Sequence, residues 1–186
     1  HVEWAYDVWQ TYYGDHGGLV QARLLPWCYF FAGKLDESER LATKLLRVSD
    51  RVAAPGDHGL VLRLLALLAS TKGDTERGHS LLAESEALLA RGSVLTMRSR
   101  LRDDHHWYLL LECAAAIIYC LSREFDRGRA ITKRLLSLKM THLRPFIVQL
   151  LFTIDVLTLY LQGEALADGA LAHFLQEQKW LRHVVQ

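Results

Sequence analysis

The stretch from Ala22 to Arg47 constrains the fold more than any other part of the chain. An apolar run, Leu24-Leu25-Pro26-Trp27-Cys28-Tyr29-Phe30-Phe31-Ala32, stops at Gly33. Asp36-Glu37 then open an amphipathic run that ends with Lys44 and Arg47. Glycine past a helix end and acids in the next first turn are stop and start signals. Placed three residues apart, they require two helices that fold back on each other as an antiparallel hairpin. Pro26 removes one backbone hydrogen bond from the first helix, which predicts a kink there or a late helix start.

The same break recurs. Gly33-Lys34-Leu35-Asp36-Glu37-Ser38, Gly73-Asp74-Thr75-Glu76-Arg77-Gly78, Arg123-Glu124-Phe125-Asp126-Arg127-Gly128 and Gly163-Glu164-Ala165-Leu166-Ala167-Asp168 follow at spacings of 40, 50 and 40 residues. A second marker precedes the first helix of each unit: Gly14-Asp15-His16-Gly17, Gly56-Asp57-His58-Gly59, Asp104-His105 and Thr141-His142. Asp or Thr there is expected to cap the helix start, accepting bonds from unpaired amides. Two markers at compatible spacings define an internal repeat.

The chain therefore reads as one all-α domain over residues 1–186. A half repeat covers 1–13, and hairpins cover about 19–49, 58–90, 105–138 and 145–184. Residues 50–57 are expected to be a loop and 91–104 an Arg-rich connection. Because the pattern opens mid-hairpin, a fragment of a longer protein is expected.

Composition agrees: the 186 residues are 51% hydrophobic with three prolines, enough to bury one core. The net charge of +1 gives no global attraction to nucleic acid or an anionic membrane. Residues 91–144 are the exception, with 11 basic and 5 acidic side chains. The longest apolar run, Phe146 to Leu161, contains Gln149, Thr153 and Asp155 and is short for a bilayer span, so it reads as a buried helix and not a membrane segment. Cys113 and Cys120 lie seven apart in one apolar run, about 10 Å along a helix axis. They cannot bridge and read as buried free thiols, which suits an intracellular, reducing compartment, cytoplasm or nucleus.

Hairpins with this break resemble the tetratricopeptide (TPR) repeat. Tyr29, Gly33, Leu35 and Ser38 fit the family's pattern in the first unit. Ala66, Gly73 and Gly78 fit in the second, and Ala116, Tyr119, Phe125 and Gly128 in the third. Gly163 and Ala165 fit in the fourth. Pro26, Arg123 at the turn glycine and Asp168 at the small position depart from it, and the spacing exceeds the family's usual length. The resemblance covers the chain from about residue 19 and implies a right-handed α-solenoid whose first helices line an inner groove. Carrying the family's groove positions across marks Arg23, Trp27, Phe30 and Phe31, then Arg63, Leu67 and Ser70. Cys113, Ile117, Cys120, Thr153, Leu157 and Tyr160 follow. Such a groove is apolar with a basic entrance, and it is filled either by a partner or by the chain itself.

Residues for chemistry are sparse. No phosphate loop, nucleophile elbow or Cys/His pairing occurs, so no catalytic residue, cofactor or enzymatic activity is expected. His16, His58, His105 and His142 mark successive repeat starts and read as capping-loop residues, since metal ligands must converge on one point. Glu112 and Asp155, lone acids in apolar helices, are expected to meet Arg127, Arg129, Lys133 or Arg134. That basic helix has i,i+4 charges and no interleaved aromatics, which argues against nucleic acid. The expected function is a scaffold segment for protein–protein interaction, holding an extended or helical segment of a partner or of its own full-length chain. The alternative is a ligand- or protein-sensing arm of a MalT-like transcription regulator, in which a small molecule would bind among the first helices.

Overall fold

Among the described residues, four with positive φ punctuate the fold: Gly33 (74°), Gly73 (90°), Arg123 (65°) and Gly163 (71°). They stand at the four breaks read from the sequence. The computed structural model describes Thr11, residues 24–51, 55–91, 105–137 and 145–163, and Lys179. These residues form seven helices: α1 (Leu25–Phe31), α2 (Leu35–Arg51), α3 (Pro55–Thr71), α4 (Thr75–Arg91), α5 (His105–Leu121), α6 (Phe125–Ser137) and α7 (Pro145–Gln162). Among the described residues there is no strand. The half repeat 1–13, apart from Thr11, and the expected helix 165–184, apart from Lys179, lie outside the described residues.

Three of the turns close identically. The amide of the positive-φ residue donates to the carbonyl three back, as Gly33 to Phe30, Gly73 to Ser70 and Arg123 to Cys120. The next amide reaches five back, as Lys34 to Tyr29, Asp74 to Ala69 and Glu124 to Tyr119. This doubly bonded cap consumes orphan carbonyls at the helix end, and it requires the left-handed conformation that glycine adopts without cost. Arg123 adopts it with a side chain.

Pro26 sits at the very start of α1, so the late start is the outcome and not a kink. Its carbonyl accepts a bond from the buried Ser38 hydroxyl at 2.7 Å, which ties α2 to α1. The loop expected at 50–57 is shorter, because α3 begins at Pro55 with Asp57 in its first turn. Proline suits that position, having no amide to leave unpaired. Asp57 is therefore inside the helix and not its cap.

The helices pack in chain order. α1 lies on α2, α2 on α3 and α3 on α4; α5 lies on α3 and α4, and α7 on α5 and α6. Polar ties join successive turns along one edge. Lys72 bonds Asp36 at 2.6 Å and Glu39 at 2.8 Å. His79 meets Glu124 at 3.1 Å, and Arg129 donates to Gln162. Glu39, His79 and Arg129 each stand six residues past a turn, and each reaches the residue beside the next turn. The core runs through the first helices: every residue from Val61 to Thr71 is buried, as is every residue from Cys113 to Cys120.

Candidate partner-binding face

On α1, Trp27 stacks on Phe31 with ring centroids 6.2 Å apart, and Phe30 meets Phe31 edge-on at 5.4 Å. The aromatic cluster read from the sequence is therefore real, but it faces inward. Trp27 is 4% exposed and Phe30 fully buried, while Phe31 is half-buried. Leu67, Ile117 and Leu157 are buried to 1% or less, and Tyr160 is half-buried. Arg23 lies outside the described residues.

Arg63, expected at a groove entrance, is 3% exposed. Its Nε donates to Ser85 Oγ at 3.3 Å, and a terminal nitrogen donates to the Leu111 carbonyl at 3.2 Å. The Glu86 carboxylate stands 4.0 Å away. A guanidinium this deep persists because its donors are satisfied. It is a strut joining α3, α4 and α5.

Most of the expected groove stripe is buried, while Phe31 and Tyr160 are half-buried. In the second and third units Arg63 and Ser70 meet α4, and Cys120 meets α6 and α7, so these positions form a seam between helices. Cys120 bonds Thr158 of α7 at 3.1 Å, and a Cβ on Gly128 of α6 would stand 2.7 Å from its sulfur. Ser70 holds the same place against Gly78. Small residues on the second helices let the pairs approach closely enough to swallow the stripe.

Three arginines of α6, Arg127, Arg129 and Arg134, are engaged, as is Arg123 at the turn before it. Arg134 pairs with Glu112, and Arg123 donates to the Leu161 carbonyl. Arg127 bonds Glu124 at 2.7 Å and lies 4.7 Å over the Tyr119 ring. Apolar neighbours desolvate the Asp155 carboxyl and raise its pKa, although the residue is exposed by surface area; Arg129 opposes that shift. Both carboxylates therefore have the arginine neighbours expected of them. Burial pushes the Cys113 thiol up to about 12, with Glu112 adding to it.

His58 bonds the Ser49 hydroxyl at 3.2 Å, as a residue of the helix junction. His16, His142 and the side chain of His105 lie outside the described residues. Among the described residues no three His, Cys, Asp or Glu side chains gather as metal ligands, and no helix is long and apolar enough to cross a membrane.

What sequence reasoning missed is an apolar surface on α7. Val148 is 48% exposed and Phe152 53%, one turn apart, so α7 is not the fully buried helix expected. Leu136 on α6 is 55% exposed. No clean periodic signal marked this face, because the polar Gln149 and Asp155 are exposed beside Val148 and Phe152.

No family model, no curated protein and no solved structure matches the chain.

Proposed function

We propose that the chain is a TPR-like, right-handed α-solenoid segment that serves as a protein–protein interaction scaffold. It holds an extended or helical segment of another protein against its first helices. The observation that carries this reading is the repeated junction: a left-handed turn residue, a small residue five later, and a side chain six later that ties to the next turn. A unit that contacts chiefly its neighbours builds an extended surface, and such surfaces suit extended partners.

The buried residues of the expected stripe cannot be anchors without opening the core. Phe31 and Tyr160 keep part of their rings at the surface, one near each end of the described array, and they are the anchors in this reading. With a partner identified by affinity capture and then purified, calorimetric titration tests the assignment. Phe31→Ala with Tyr160→Ala should weaken binding at least about tenfold, or roughly 1.4 kcal/mol, with the helical circular dichroism unchanged. Equal affinity in the folded double variant contradicts the assignment.

A further inference from the structure

We infer that the first turn is a docking site for the chain's own backbone at Lys179. The three turn glycines share one conformation but not one environment. A Cβ at Gly73 or Gly163 would meet nothing within 4 Å. One at Gly33 would meet the Lys179 carbonyl oxygen at 2.9 Å, its Cβ at 3.0 Å and its carbonyl carbon at 3.1 Å. A residue 146 positions later in the chain therefore lies across the first turn, and only glycine leaves room for it.

The position of Lys179 is informative because of where a simple fourth hairpin would put it. Lys179 is sixteen residues beyond Gly163. A helix running back along α7 would carry it about 20 Å from the edge on which the turns lie, at 1.5 Å per residue. Lys179 stands on that edge instead, beside the turn farthest along the array. The contact puts Lys179 at the first hairpin. The occupant is thus this chain's own backbone, held against the turn that ends α1. It stands beside the proposed anchor without depending on it.

Cysteine cross-linking in the full chain tests this. In a Cys28→Ser background, which removes the exposed native thiol, Lys34→Cys with Lys179→Cys is treated with a short bismaleimide under native conditions. Gln162→Cys with Lys179→Cys is the comparison. A loosely tethered C-terminus would favour the second pair, since loop closure favours the shorter loop. Docking predicts the reverse: the Lys34→Cys/Lys179→Cys variant links within one chain several-fold faster, and denaturant abolishes that advantage. The inference is overturned if the Gln162→Cys/Lys179→Cys variant links as fast or faster, or if the first variant links only between two chains. These outcomes do not depend on any partner protein.

Discussion

Arg63 and the cysteines carry the residue-scale account. A charged residue in the Leu-rich run Leu60–Leu68 reads as outward-facing, and nothing within its own helix says otherwise. Its burial makes sense only with Ser85 of α4 and the Leu111 carbonyl of α5 in place, which no local pattern contains. The thiols were more legible. Seven-residue spacing in an apolar helix places Cys113 and Cys120 on one face, and both are buried and free. Burial raises both thiols; the Thr158 bond to Cys120 opposes this there without reversing it. A thiolate is the reactive form. A thiol-specific reagent at about pH 8, near the ordinary thiol pKa, should therefore modify Cys28 in the folded protein, and Cys113 and Cys120 only after unfolding. Native reaction at either buried thiol would contradict this packing.

At the scale of elements, turn chemistry was readable, and the start of α3 was not. Gly33, Gly73 and Gly163 were recognisable as helix stops, and Asp74 caps α4, its carboxylate accepting the Arg77 amide at 3.1 Å. The start of α3 was misread because Gly56 and Gly59 look like loop punctuation. Tertiary contact overrides that preference. A Cβ on Gly59 would press on Leu89 at 3.0 Å, and its carbonyl accepts the Ser85 hydroxyl at 2.7 Å. The glycine is there for close helix approach.

Gly128 does the same for α5 and α6. A Cβ there would meet Cys120 Sγ at 2.7 Å and the Ala116 carbonyl oxygen at 3.1 Å. Gly128→Ala gains helix propensity but crowds this contact, and overpacking of this kind costs about 1–3 kcal/mol. Urea denaturation should show that loss. It should shrink when Cys120→Ala removes the sulfur first, because the two residues share one contact. An identical loss in both backgrounds would mean that the sulfur is not the obstacle.

For the whole molecule, the sequence spacing of 40, 50 and 40 proved to be a structural phase, since a left-handed residue stands at every break. The ties between turns were not legible, because they pair different chemistries at equivalent places. Lys72 with Glu39 is an ion pair, His79 with Glu124 depends on the histidine proton, and Arg129 with Gln162 has only one charge. Exposed pairs like these contribute little energy singly, on the order of 0–1 kcal/mol; their value is in setting how consecutive units sit. The candidate site was the least legible part. A stripe defined by resemblance alone did not reveal that small residues at Gly78 and Gly128 close the seam over it, or that Lys179 reaches Gly33.

The central claim is that one unit recurs through this chain and that Arg123 occupies a glycine's place in it. Comparing the unfolding free energies of Arg123→Gly and Arg123→Ala tests that claim most directly, because both variants lose the bond to Leu161 and differ chiefly in tolerance of positive φ. The account predicts that Arg123→Gly is more stable than Arg123→Ala by about 1 kcal/mol, while Gly73→Ala, at the equivalent turn, loses a similar amount relative to the parent chain. An Arg123→Ala variant as stable as Arg123→Gly would contradict it.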